Sequence, residues 1–196
     1  FLHEDINIIK PKLHFFAPYH KPLVLENYVE WLKLADEKLP EETNIVLGLS
    51  NKDLAKQYNF FPKRKIYYLD MGEVNEVQTD LERRVMGPQT GPIMILPVLD
   101  YMGYNKINLL GCDMNRLQSY KKVTENFYDK SKDIRVNATD NKGWADIITE
   151  LKRTTVMFEQ FKRYNDYFNS KNKKMYNLSS LSWLDFIEYK DFNKVL

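Results

Sequence analysis

Cysteine is nearly absent: Cys112 is the one thiol in the chain. That excludes a disulfide framework and any cysteine-based metal site, and makes the cytoplasm, up to the inner face of the membrane, the expected location. Histidine is scarce too. His3, His14 and His20 crowd toward the start, with no carboxylates at zinc-ligand spacing, so no metal site is expected. His20, just past Ala17-Pro18-Tyr19, is the one histidine placed at a strand end. No Ser-His-Asp constellation and no Gly-x-Ser-x-Gly run is present, which argues against a serine hydrolase. No apolar run approaches the roughly 20 residues that span a bilayer. The opening Phe1-Leu-His-Glu-Asp has neither the basic nor the apolar part of a signal peptide. It also lacks an initiator Met, and the expectation is a piece of a longer chain.

Charge of one sign is missing as well. The 29 basic and 27 acidic side chains leave +2. So balanced a chain has no overall field that seeks nucleic acid. Lys63, Arg64 and Lys65 cluster, as do Lys171, Lys173 and Lys174, and both groups read as solvated surface charge.

What the chain does have is a globular composition: 43% hydrophobic and 29% charged over 196 residues, enough for one domain with a sizeable core. Aromatic residues reach 14%. They suit either a tightly packed core or a pocket for a sugar or base.

Strands and helices alternate along it. Strands are expected at Lys12–Ala17, Asn44–Leu49, Lys65–Leu69, Lys106–Leu110 and Lys173–Asn177, and helices at Asn27–Lys38, Gly91–Met102 and Gly143–Phe168. Ser50 is placed to cap a short helix through Tyr58. Glu73–Arg84 is polar and reads as helix or ordered loop. Pro97 falls inside one helix, where it removes a backbone bond. On the last and longest helix, Trp144, Ile147, Ile148, Leu151, Thr155, Phe158, Phe161 and Phe168 form the expected core stripe. Ser179–Ile187 reads as a turn or short helix. The expected fold class is α/β, a mostly parallel sheet with helices on both faces. Arg116–Asn141 is long, polar and without periodicity, as binding loops are.

Two motifs carry chemistry. Gly87-Pro-Gln-Thr-Gly-Pro92 leads into a helix N-terminus, whose unpaired N–H groups and positive dipole end suit phosphate; a plain capping turn is the alternative. It is neither a Walker loop nor a dinucleotide fingerprint. Asp113 closes a strand, where α/β enzymes bind ligands, and reads as a general base, a hydroxyl acceptor or a turn cap. Asn115 can hold that turn or meet a ligand. Tyr120 and Tyr128, the latter in Asn126-Phe-Tyr128, can donate to a leaving phosphate or anchor the loop.

Gln89-Thr-Gly91, the helix to Met102-Gly-Tyr104, and Lys106-Ile-Asn-Leu-Leu-Gly-Cys-Asp113 together resemble the Thr-Ser-Gly, apolar helix, Leu-Gly-Tyr-Lys and Ile-Tyr-Leu-Gly-x-Asp run of CMP-sialic acid sialyltransferases. Tyr58-Asn-Phe-Phe-Pro62 with Lys65-Ile-Tyr-Tyr68 is similar to the segment entering that family's central strand. Asn126-Phe-Tyr128, Lys174-Met-Tyr-Asn-Leu-Ser179 and Leu184-Asp-Phe186 resemble later elements of related bacterial surface-polysaccharide proteins. The wider fold group includes proteins similar to archaeal hydroxymethylpterin diphosphokinase.

The resemblance implies a single Rossmann-like domain over residues 1–196 and no obligatory cofactor or metal. It also implies a nucleotide-sugar donor, a CMP-ulosonic acid being favoured, with a surface glycan as acceptor. Gln89, Thr90, Gly91, Asn115, Tyr120 and Tyr128 are then the nucleotide contacts. The family's first strand and Gly-Asn-Gly-Pro-Ser nucleotide loop are not found in this sequence. Nor is its histidine base: Asn137–Trp144 contains none, so Asp113 or Asp140 is the expected base. Two other functions fit the same residues. One is a Mg²⁺-dependent diphosphokinase-like phosphotransferase using Asp113, Asp129, Asp133 and Asp140. The other is a non-catalytic domain that binds a glycan or a partner. Peripheral membrane association and homo-oligomerisation are left open.

Overall fold

The computed structural model describes residues 1, 3–20, 23–74, 76–121 and 145–195. It is mixed α/β, and every strand pair among the described residues is parallel. In chain order the elements are α1 (Ile6–Ile9), β1 (Leu13–Phe15), α2 (Leu25–Lys38), β2 (Asn44–Gly48), α3 (Lys52–Gln57), β3 (Ile66–Leu69), β4 (Met71–Gly72), β5 (Val85–Met86), α4 (Gly91–Tyr101), β6 (Lys106–Leu109), α5 (Ile147–Ser170) and β7 (Lys174–Asn177). The described chain forms two compact units, residues 1–70 and residues 71–121 with 145–195. None of the described helices is long and apolar enough to cross a membrane.

In the first unit β2 lies between β1 and β3. A central parallel strand is covered on both faces, and Ile45, Val46 and Leu47 are accordingly a continuous apolar run at 0–1% exposure. Burying each such side chain contributes about 2 kcal/mol. On α2, Tyr28, Val29, Trp31, Leu32 and Ala35 face the core at helical spacing.

The C-terminus of α2 has no glycine cap. Arg64 closes it instead, donating to the carbonyl oxygens of Asp36, Leu39, Pro40 and Thr43 and to the Asp36 carboxylate. Its side chain is 6% exposed, so Arg64 is an internal clamp and not the surface charge expected from the Lys63–Lys65 cluster. Ser50 does not cap α3 either; it lies in a 3-10 turn, Leu49–Asn51, that leads into the helix.

The second unit is built on β6 and β7, with α4 and α5. Its core contains Ile93, Leu96, Ile107, Phe161, Tyr164, Phe168 and Leu184. The polar stretch before α4 is a loop between two short strands, β4 and β5, that pair with each other. Gly87 extends this contact: its N–H donates to the Gly72 carbonyl at 2.7 Å, and a side chain there would meet that same oxygen at 3.2 Å. Asp146 caps α5 by accepting from the N–H groups of Ile148 and Thr149.

The stripe expected on α5 is out of phase over its first half. Ile147, Ile148 and Leu151 are 43%, 62% and 49% exposed, whereas Glu150 is 3% exposed. Glu150, Phe161, Tyr164 and Phe168 are buried, with Thr154 and Met157 half-buried between them. That 4-3-4-3-4 spacing is also a helical face. It starts polar, so an apolar-residue pattern misses it.

Candidate functional site

The polar start of that α5 face lines a cavity of about 230 Å³ together with the loop entering α4 and the chain after β6. Gln89 and Thr90 come from the first, Met114, Arg116 and Leu117 from the second, and Glu150, Arg153, Thr154 and Met157 from α5.

Gln160, one turn further along α5, holds the loop in place. Its amide donates to the Gly87 carbonyl at 2.7 Å and accepts from the Gln89 N–H at 2.9 Å. Thr90 is the N-cap of α4, yet its side chain makes no capping bond. Gly91 follows, and a side chain added there would meet none of the described residues within 4 Å. The described residues leave space beside the first turn of α4, at the positive end of its dipole.

Glu150 is the pivot of the electrostatics. One carboxylate oxygen accepts from the Ala145 N–H at 2.9 Å and lies 3.4 Å from an Arg153 nitrogen; the other lies 3.7 Å from Arg116. The carboxylate is 4% exposed and the two guanidinium side chains 53% and 59%, so the positive groups stand at the mouth and the negative one behind them. Among the described lining residues two guanidinium groups face one carboxylate, and planar guanidinium groups suit phosphate or carboxylate bidentately.

The expected site residues divide. Gln89 and Thr90 line the cavity, and Gly91 adjoins it. Asn115 holds the turn after β6, donating to the Leu181 carbonyl at 3.4 Å. The Tyr120 hydroxyl donates to the Ala145 carbonyl at 3.3 Å, beside the Glu150 contact. Asp113 does not line the cavity. It is half-buried, accepts from the Ser179 hydroxyl, and its carbonyl accepts from the Trp183 N–H at 2.9 Å. Asp140 and Tyr128 lie outside the described residues, as do Asp129 and Asp133.

Arg116, Glu150, Arg153 and Thr154 were not among the expected site residues. Glu150 and Thr154 had a signal, since they continue the helical face of Phe161, Tyr164 and Phe168 toward the start of α5; Arg116 lies outside α5 and had none. Cys112 is not a nucleophile candidate, because burial, and next the Asp113 charge, pushes its thiol up to about 11. Among the described residues no group of three or more His, Cys, Asp or Glu side chains could hold a metal ion. No protein-family model, curated protein or solved structure matches this chain.

Proposed function

We propose that this chain is a Rossmann-like glycosyltransferase that takes a sugar from a nucleotide donor, a CMP-ulosonic acid being favoured, and passes it to a surface-glycan acceptor. The observation that carries the reading is the meeting of Gln89 and Thr90, at the N-terminus of α4, with Arg116 and Arg153 around one cavity. That arrangement suits the donor phosphate: a dipole end and two guanidinium groups stabilise the charge that grows on the departing group.

In the reaction the acceptor hydroxyl oxygen attacks the anomeric carbon and forms the new C–O bond. The bond from that carbon to the donor's phosphate oxygen breaks, and its electron pair leaves with the nucleoside monophosphate. The hydroxyl proton passes to a carboxylate, Asp113 or Asp140. Asp113 is suited to this by its place at the carboxyl end of β6.

Calorimetric titration of the whole chain with CMP, UDP and their sugars is the test. CMP is expected to bind, with Arg153→Ala weakening it about tenfold, the loss of one charge-assisted contact. Absence of affinity for every nucleotide sinks the proposal. Nucleotide affinity with no turnover in any acceptor mixture marks a binding domain instead.

A further inference from the structure

Past β7 the chain turns through Ser179–Ile187 and returns to bridge Asn177 at Tyr189. The turn borders a second cavity, an open one of about 390 Å³, whose lining includes Asn177, Ser179, Ser180, Asp185, Glu188 and Tyr189. Its chemistry is the reverse of the arginine-lined one. Among the described residues no Lys or Arg lines it and two carboxylates do, a lining that disfavours phosphates and uronates. We propose that it binds an uncharged sugar, the residue of the glycan that accepts the transferred group.

Four features fit that ligand. Carboxylates and serine hydroxyls accept from sugar hydroxyls, and charge-assisted bonds of this kind are the strong ones. The Tyr189 ring, 53% exposed, offers an apolar face for the C–H side of a pyranose. Asn177 is only 3% exposed, and its Oδ1 accepts from the Ser179 N–H at 3.0 Å. That bond fixes the amide orientation and leaves Nδ2, which has no hydrogen-bond partner among the described residues, as a donor that a ligand oxygen can accept from. Finally, the cavity sits at the carboxyl end of the parallel β6–β7 pair, where sheets of this kind hold ligands.

Two consecutive residues link this cavity to the other one. Asp113 accepts from Ser179, which lines this cavity, and Met114 lines the arginine-bearing one. Met114 is held at φ 51°, a left-handed backbone that a methionine rarely adopts. The turn after β6 thus lines one cavity through Met114 and holds a wall residue of the other through Asp113. The acceptor role rests on the glycosyltransferase reading above; the sugar site rests on the cavity itself.

The experiment is saturation-transfer NMR on the intact chain with methyl glycosides of glucose, galactose and N-acetylglucosamine, with methyl glucuronide as the charged control. Neutral sugars are expected to bind at millimolar concentration and the glucuronide at least about tenfold more weakly. Tyr189→Ala, at an exposed side chain, should weaken neutral sugars about fivefold. The double variant Asp185→Asn/Glu188→Gln should bring glucose and glucuronide within about twofold of each other, since the repulsion is gone. CMP affinity should be unchanged in both. No saturable binding of any neutral sugar overturns the site, as does binding indifferent to both variants. Nucleotide binding without sugar binding overturns this site and spares the donor reading. Sugar binding without nucleotide binding upholds this site and overturns the donor reading.

Discussion

Gln160 accepts a hydrogen bond from the backbone N–H of Gln89 across 71 positions of sequence, and its other end holds the carbonyl of Gly87. One buried amide therefore fixes the loop that delivers Thr90 and Gly91 to the cavity. Gln160→Ala leaves both backbone groups without their partner and should destabilise the second unit by about 2–3 kcal/mol. Gln160→Glu keeps the size but cannot donate to Gly87 while ionised. It should lose comparable stability at neutral pH and recover part of it in acid. Denaturant melts across pH check this; a Glu variant as stable as wild type at neutral pH rules the clamp out.

Glu150 stands behind two guanidinium groups and competes with any anion that approaches them. Glu150→Gln keeps an oxygen for the Ala145 N–H and removes the competing charge. A partly exposed pair is worth about 1 kcal/mol, so anion affinity should rise about fivefold. Titration with inorganic phosphate and CMP measures it. Weaker binding would mean that Glu150 orients the arginines more than it occupies them.

Arg64 supplies the helix cap that glycine usually permits. Arg64→Ala removes a donor from the Asp36 carboxylate and from four carbonyls, of which Pro40 keeps the Thr43 N–H, and should cost the first unit about 3–5 kcal/mol. Arg64→Lys should rescue little, because one ammonium cannot span the same acceptors. Hydrogen exchange of α2 and β2 amides reads the first unit separately from the second.

Asp100 lies at the end of α4, its side chain 8% exposed, and accepts from Lys173 and, at 3.2 Å, from the Tyr167 hydroxyl. Burial pushes its carboxyl up, but the bonds from Lys173 and Thr79, the Lys173 charge and the Tyr167 bond together hold it below its ordinary 3.8. A depressed carboxyl contributes stability above that ordinary value and loses it as pH falls through the lowered one. Asp100→Asn should therefore lower the melting temperature at neutral pH, with the gap to wild type closing in strong acid. A gap that stays constant with pH contradicts the assignment.

Most elements were legible because each is a local pattern: the apolar run of β2, the helical spacing on α2, the Thr90-Gly-Pro entry to α4. The strand pair β4–β5 was not, since two residues per strand carry no periodicity. The site was half legible. Gln89 and Thr90 stand in a recognisable loop-to-helix sequence, whereas Glu150 and Arg116 meet only through tertiary structure. Ile147, Ile148 and Leu151 misdirected the reading of α5, because apolar residues mark a core face only where the core is apolar. Asp113 was found as the carboxylate after a strand, but nothing local reveals that Ser179 donates to it.

The parallel register of β6 on β7, which pairs Lys106 with Lys174, has a consequence for biogenesis. A ribosome delivers β6 long before its hydrogen-bonding partner exists. Until β7 has left the exit tunnel, Ile107 and Leu109 have no completed sheet to join, and the nascent chain presents them to chaperones. Truncations that stop before Lys174 should therefore be recovered as chaperone-bound, protease-sensitive chains, however well the first unit has already folded.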